Sequence, residues 1–482
     1  MIRFGTVFNA LGKILLIVDV GLMFPLLWAI ITGGDDVVPF LLTATIYGAV
    51  GGALVFFVKS QGNIRAKEGY LIVSLTWILV SLIGALPYFF AGAFPDYSSA
   101  FFETISGFTT TGSTAFADIE AVSQELLLWR ALTQWLGGLG VVVLFVAVLS
   151  QVDTGGVTML RAELSGPFNE KISSHIQDTA IILWLMYVFL TGLLTVLLMF
   201  GGMSFFDAIC HAFTTMATGG YSTHNASVAY FNSAYIECVI TIFMFFGGMS
   251  YPFMYKAFVK RNFSLIRRNE EFRCYIFVVV AATLLVFIDL MVERGGSVFS
   301  NFRGAAFQVV SQLTTTGFVT ENFDLWPTAA HVTIICLMMI GACYSSTSGS
   351  VKVGSYVVFY KAMKTQFFRM LHPRAMVQTK VNGKPIDEKI VMRVLLFMLL
   401  FYLLAFWGSI LVAATGIPFD ESITASMSAV SNSGPALGSM GAVGNYAAVP
   451  AFGKWVLGFL MLAGRLELFT IFIIFVPTFW RR

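Results

Sequence analysis

The sequence predicts an all-α polytopic membrane protein: four tandem helix–loop–helix repeats behind an extra amino-terminal helix pair. Three observations carry this expectation. The first is composition. Of 482 residues, 57% are hydrophobic and 11% charged, against about 45–50% and about 25% in a soluble globular chain. The 48 Phe and 44 Gly accompany too little polar surface for a water-facing shell. A soluble enzyme, a disordered chain and a nucleic-acid binder are excluded on this ground. The second is length of run. The apolar stretches are about 20 residues long, as a membrane helix requires, and not the alternating segments of about 10 found in outer-membrane barrels. The third is that four segments between these stretches match one another.

Taken in order, spans are expected near 12–32, 38–58, 70–92, 126–150, 178–202, 233–256, 273–293, 328–358, 391–415 and 452–479. The first run, about Ile14 to Thr32, lacks a small-residue cleavage site and reads as a membrane helix, not a signal peptide. Basic residues choose the orientation. Arg3 and Lys13, then Lys59, Arg65 and Lys67, then Arg161 and Lys171 fall on one side. So do the groups 256–273 and 352–393 and the terminal Arg481 and Arg482, together 24 of the 29 basic residues. Asp35, Asp36, Asp96, Asp118, Glu120 and Asp324 fall on the other. Both termini are therefore expected in the cytoplasm, with the chain in the cytoplasmic (inner) membrane. Arg130 and Lys454, near outer helix ends, are expected to snorkel to headgroups. The cysteines, 210, 238, 274, 336 and 343, contain no CxxC and read as small buried hydrophobes.

The four matched segments follow spans three, five, seven and nine. They run from Phe101 to Gly112, from Phe205 to Thr223, to Thr314-Thr315-Thr316-Gly317, and from Phe419 to Ser431-Asn432-Ser433-Gly434. Each is read as opening on an aromatic and closing on small hydroxylated or amide residues plus glycine. They are too short to cross the bilayer twice, so half-helices that re-enter the membrane are expected. The closing glycines, 112, 220, 317 and 434, lie 108, 97 and 117 residues apart. This period gives an extension over 1–69 and repeats over 70–177, 178–272, 273–389 and 390–482. A single Thr-Thr-Thr-Gly is equally a glycine-capped helix end; four copies at one period favour a shared role.

Such a role has a chemical reason. A cation leaving water must exchange its hydration shell for oxygen ligands, which rings of backbone carbonyls supply. Irregular backbone at membrane depth is tolerated only around a cavity or within protein, and glycine permits the dihedrals. Four such loops would surround one central ion pore. Its lining is expected from Thr110, Thr111 and Gly112; Thr218, Gly219 and Gly220; Thr315, Thr316 and Gly317; and Asn432, Ser433 and Gly434. Glu103, Asp207 and Asp420 are expected at half-helix amino ends, where they complement the dipole. Arg303 breaks that pattern in the third repeat. His211 and His224 flank the second loop without metal-ligand spacing and read as structural.

The motifs Trp135-Leu136-Gly137-Gly138-Leu139-Gly140, Thr218-Gly219-Gly220-Tyr221-Ser222-Thr223-His224 and Gly464-Arg465-Leu466-Glu467 resemble the superfamily of potassium transporters that includes TrkH, TrkG and KtrB. The extra amino-terminal pair is more similar to TrkH and TrkG. The resemblance implies potassium (K+) uptake, with one filter glycine per repeat at 112, 220, 317 and 434. Glycine at all four positions implies potassium over sodium. It also implies two gates. One is a loop interrupting the eighth span, Gly341-Ala342-Cys343-Tyr344-Ser345-Ser346-Thr347-Ser348-Gly349-Ser350, with fewer glycines than the family pattern. Read from its residues alone, this stretch either breaks the span or forms a small-residue packing face. The other gate is Arg465. Arginine at a bilayer centre costs roughly 2.5–3.5 kcal/mol, so it should face protein or water; an ion pair with Glu467 and a barrier to cations are both open.

The basic loop 352–393 contains Val381-Asn382-Gly383-Lys384-Pro385, whose Asn-Gly predicts a turn or hairpin. It could dock a soluble partner or hold anionic lipid. The resemblance implies a homodimer and a cytosolic nucleotide-binding regulatory subunit of the TrkA type. The chain itself has no glycine-rich Lys-Ser/Thr loop, so nucleotide binding by it is not expected. A proton- or sodium-coupled potassium symporter is the alternative. No zinc motif, nucleophile elbow or carboxylate cluster points to an enzyme.

Overall fold

Helix occupies each of the ten expected spans, interrupted in the eighth, in the computed structural model, which describes residues 2–59, 64–151, 176–466 and 468–481. The helices are α1 (Phe4–Thr32), α2 (Val37–Phe57), α3 (Ala66–Gly84, continued by Leu86–Phe90), α4 (Tyr97–Phe108), α5 (Gln124–Gln151), α6 (Ile176–Phe200), α7 (Phe205–Met216), α8 (Ala234–Gly247) and α9 (Tyr251–Met254). There follow α10 (Glu270–Glu293), α11 (Val298–Leu313), α12 (Thr328–Ile340), α13 (Val353–Leu371), α14 (Glu388–Ala413), α15 (Phe419–Ser431), α16 (Ala451–Arg465) and α17 (Phe469–Phe475). Among the described residues, six helices are long and apolar enough to cross a membrane, or eight if each bent pair is one span. Large apolar side chains such as Ile31, Phe56, Phe57 and Phe200 are about four-fifths exposed, which only a lipid-facing surface accommodates at this density.

The extension is an antiparallel pair. Gly33 closes α1 in the left-handed conformation, its cap N–H returning to Ala29 O. Gly12 and Gly51 face each other so closely that a Cβ on Gly12 would lie 2.8 Å from Gly51 O. Small residues let helix backbones approach in this way. The pair is fixed to the start of α3 by Arg3, whose Nη2 lies 2.8 Å from buried Glu68 Oε2. Lys67 donates to Phe479 O at 2.9 Å, so the chain's end returns to its beginning.

Four helices do not cross. α4, α7, α11 and α15 have 12, 12, 16 and 13 residues, which at 1.5 Å rise span about 18–24 Å, short of the roughly 30 Å core. Side chains cap two of their amino ends: Asp96 accepts from Ser99 N, and Ser204 from Asp207 N. The apolar core divides accordingly. One cluster joins the extension to repeats one and four; two others hold mainly repeats two and three.

Several expectations are corrected. The sixth and tenth spans are not straight. α8 meets the Tyr251–Val259 segment at 102°, and α16 meets α17 at 113°. Pro252 beyond Gly247-Gly248 cannot continue α8. The eighth span breaks over Gly341–Ser350, as the span-breaking reading anticipates, so the packing-face reading falls. Cys238 and Cys336 are exposed on outward helix faces, whereas Cys210 and Cys343 are buried. Asn-Gly does form a hairpin: Lys380–Val381 (β1) pairs antiparallel with Lys384–Pro385 (β2), and Asn382 and Gly383 both have positive φ.

Candidate ion path

Each half-helix ends in the same way. Thr110, Thr218, Thr315 and Asn432 adopt the left-handed conformation, with φ of 53°, 51°, 56° and 55°. Their N–H groups bond to the carbonyls of Gly107, Thr215, Gln312 and Ala429 at 2.9–3.3 Å. The next N–H, from Thr111, Gly219, Thr316 or Ser433, returns to Ser106, Thr214, Ser311 or Ser428 at 2.8–3.0 Å. These two bonds define a Schellman motif, here with threonine or asparagine where glycine is usual. A non-glycine residue there costs of order 1–3 kcal/mol. The chain carries that strain in all four repeats, and the following glycine is left-handed again.

The four strands then interlock. A Cβ on Gly112 would collide with Gly219 O of the second strand. One on Gly220 would collide with Thr316 O of the third, and one on Gly317 with Ser433 O of the fourth. One on Gly434 would lie 2.8 Å from Thr111 O, closing the cycle on the first strand. Four carbonyls and four glycine α-carbons thus form a closed ring whose members all come from one chain. The half-helix carboxyl ends converge on it, adding negative potential that favours a cation.

Of the expected dipole carboxylates, Asp207 and Asp420 do occupy first turns. Glu103 does not. It sits mid-helix, fully buried, and accepts from Ala115 N at 2.6 Å and from Arg130 Nε at 2.6 Å. Arg130 therefore does not snorkel: it is buried, donates Nη1 to Ser222 O at 2.7 Å and stacks 3.6 Å from the Tyr221 ring centroid. Lys454 is also buried, with Nζ on Ser99 Oγ at 2.8 Å and Ala447 O at 3.0 Å. Both long side chains are held by carboxylate, hydroxyl or carbonyl oxygens of the protein. Arg303 has its account too: Nε lies 2.6 Å from Glu237 Oε2. His211 is structural, bonded to Asp207 O at 2.8 Å and Ser222 Oγ at 3.0 Å. His224 stacks on Tyr230 between Asp207 and Glu120, 3.5 Å from each.

Directly against the strands lies the loop between α12 and α13. Thr347 Oγ1 lies 3.1 Å from both Met216 O and Gly247 O, and 3.2 Å from Thr218 Oγ1. Gly349 N donates to Thr315 Oγ1 at 2.9 Å, and Ser348 Oγ lies 3.3 Å from the same hydroxyl. A Cβ on Gly349 would lie 3.0 Å from Asn432 Cβ. The loop thus touches the ends of half-helices two, three and four. Gly341 and Ser345 hold positive φ, and Ser346 Oγ bonds Cys343 O at 2.6 Å, turning the loop on itself. Arg465, buried at the end of α16, donates Nη1 to Thr347 O at 2.7 Å and Nη2 to Gly137 O at 3.2 Å. It ties the loop to Gly137 of repeat one. Glu467, the ion-pair partner considered for it, lies outside the described residues.

The family described as TrkH, cation transport protein, matches residues 39–482. This chain belongs to the TrkH family. The match takes in the four ring glycines, the broken eighth span and Arg465, and omits residues 1–38, which hold α1 and the start of α2. Among relatives, the Trk system potassium uptake protein TrkH of Salmonella typhimurium is 36% identical over 430 residues, 88% of each chain. The TrkH of Halomonas elongata is 32% identical over 481 residues, 99% of each, and the TrkG of Escherichia coli 28% over 477, covering 98% and 97%. The crystal structure of the potassium transporter TrkH from Vibrio parahaemolyticus superposes with a TM-score of 0.90 at 31% identity, covering all of both chains. This TrkH-family chain is therefore a multi-pass membrane protein with the four-repeat fold. The Glu103–Arg130 pair escaped sequence reasoning. The pair lies 27 residues apart, and nothing in either helix's pattern joins them.

Proposed function

We propose that this chain takes up potassium across the cytoplasmic membrane through the four-strand ring, as the names of its relatives suggest. The single observation that carries the reading is the cycle of carbonyls against glycines: such a ring can replace a hydration shell. K+ is the transported ion and no catalytic cofactor is invoked. The five-part division at 69/70, 177/178, 272/273 and 389/390 goes with this reading. The loop Gly341–Ser350, with Ser345, Ser346, Thr347, Ser348 and Gly349 beneath the ring, acts as a gate. Arg465 latches it and adds a positive barrier to cations. The basic residues gathered on one side support cytoplasmic termini. A homodimer, contacts with membrane lipids and a cytosolic nucleotide-binding subunit of the TrkA type complete the proposal.

The test is rubidium flux into proteoliposomes of the purified chain, with and without such a subunit. Selective flux down a potassium gradient alone supports a gated pore. Strict dependence on a proton or sodium gradient replaces it with coupled symport. No flux under any gradient, with or without the subunit, overturns both.

A further inference from the structure

One position in the ring differs chemically from its three counterparts. Immediately before the filter glycine, repeats one, three and four carry Thr111, Thr316 and Ser433, whose hydroxyls are all engaged. Thr111 Oγ1 lies 2.8 Å from Thr109 Oγ1 and accepts from Asn432 Nδ2 at 3.0 Å. Thr316 Oγ1 lies 2.8 Å from Thr314 Oγ1, and Ser433 Oγ donates to Gln312 Oε1 at 2.9 Å. Repeat two has Gly219 there. Unlike Gly220, Gly219 does not need to be glycine for its backbone, because its φ lies outside the left-handed region. What forbids a side chain is Gln134. A Cβ on Gly219 would overlap the Gln134 amide carbon and lie 2.6 Å from Oε1 and 2.7 Å from Nε2. Gln134 is itself fully buried.

Gln134 belongs to α5, the second helix of repeat one. Its Nε2 donates to Gly219 O at 2.7 Å, and its Oε1 accepts from Tyr221 N at 3.1 Å. One amide thus clamps the second strand on both sides of its filter glycine. One turn earlier on the same helix face, Arg130 holds Ser222 O. Gly219 O is one of the four ring carbonyls. Among the described residues, the other three, of Thr111, Thr316 and Ser433, accept no hydrogen bond.

We infer that Gln134 is a specificity-determining positioning residue. Supplied by repeat one, it fills the volume left by the missing side chain in repeat two. It fixes the Gly219 carbonyl at the ring width and shares that carbonyl's lone pairs with the ion. Without it the second strand is free to move inward and contract around a smaller cation. Selectivity for potassium over sodium then rests on this amide, not on the four glycines alone. The inference rests on the proposed filter reading.

The experiment compares rubidium and sodium flux in proteoliposomes for the full chain, Gln134→Met, Gln134→Ala, Gly219→Ser and the double variant Gln134→Ala/Gly219→Ser. Gln134→Met keeps the volume and removes the amide; it should lower the rubidium-to-sodium flux ratio about tenfold, the effect of removing the hydrogen bonds that position the second strand. Gly219→Ser alone should lower it comparably by collision. The double variant, which returns the hydroxyl in cis, should recover the ratio to within about threefold of the parent. As a readout independent of flux, the difference between potassium and sodium in raising the melting temperature of the purified protein should shrink in Gln134→Met and return in the double variant. A selective parent with unchanged ratios and unchanged ion-dependent melting in Gln134→Met overturns this inference alone, as does a double variant that merely adds the two losses. A parent without selective flux overturns the filter reading and the inference with it.

Discussion

The ring and the layer directly against it are built on opposite principles. In the ring the four repeats agree in backbone conformation, while Gly219 and Asn432 depart from their counterparts in side chain. The same two Schellman hydrogen bonds, the same left-handed residue and the same neighbour-facing glycine recur four times. In the adjoining layer they disagree. Repeat one continues as the unbroken 28-residue α5. Repeat two turns through 102° and repeat four through 113°, and repeat three opens into the Gly341–Ser350 loop. On the proposed reading, the difference teaches that near-fourfold symmetry persists where an ion must be surrounded equally and is abandoned where a single element must close the path. A ring that moved would lose its coordination distances. A plug present in four copies would collide with itself on the axis.

The largest expected effect breaks the symmetric half. Gly220→Ala places a methyl into Thr316 O at a left-handed φ of 76°, and backbone cannot yield as a side chain can. Rubidium flux should fall at least about a hundredfold, since overlap and strain together exceed about 3 kcal/mol. Flux within tenfold of the parent would show that the ring is not the path. Next is the brace behind the ring. Glu103→Gln strips the carboxylate from buried Arg130 and should lower stability by about 3–5 kcal/mol, read as denaturation of the detergent-solubilised protein. An unchanged profile would mean that the ring's rigidity does not depend on that pair.

The smaller effects sharpen the asymmetric half, and they have the opposite sign. Arg465→Ala frees Thr347 O and removes a positive charge near the path. Flux should rise about tenfold, equivalent to roughly 1.4 kcal/mol in the barrier, in proteoliposomes containing intact protein. An unchanged rate would sink the barrier role. Thr347→Val keeps shape and removes the hydroxyl that contacts Met216 O, Gly247 O and Thr218 Oγ1. With each net bond worth about 1 kcal/mol, partly remade by water, basal flux should rise about threefold with ion selectivity unchanged. A loss of selectivity would place this loop in the ring's function and dissolve the distinction between the two regions.

How much of this was legible in the sequence depends on the range of the interaction involved. Helices, half-helices and the Asn382-Gly383 hairpin are written in local pattern, and most boundaries fell within a few residues, although α1 begins at Phe4 and α13 runs to Leu371, through the first half of the expected basic loop. The four ring glycines were legible as a set because their period is itself a sequence property. Bends at Gly248 and beyond Arg465 were not, because an apolar run reads the same whether its axis is straight or turned. Glu103 was misread for a related reason. A carboxylate near the start of a half-helix suggests a dipole partner, yet its true partner, Arg130, comes from the following helix. Arg130 and Lys454 were misread because charge near a helix end is compatible with headgroups until packing shows a closer acceptor. Gln134 carried no motif signal at all. Its role appears only when Gly219, 85 residues away, is seen to have no room for a side chain.

By itself, then, the sequence determined that this chain lives in a membrane, repeats four times and ends each half-helix in small hydroxylated or amide residues and a glycine. Those properties follow from hydropathy, period and backbone sterics, which act over a few residues or recur along the chain. Only the tertiary structure decided which carbonyl faces which glycine, which charge neutralises which, and that a single loop lies across the end of the ring. Those depend on contacts between segments tens to hundreds of residues apart, where the deciding quantity is the space one repeat leaves for the next.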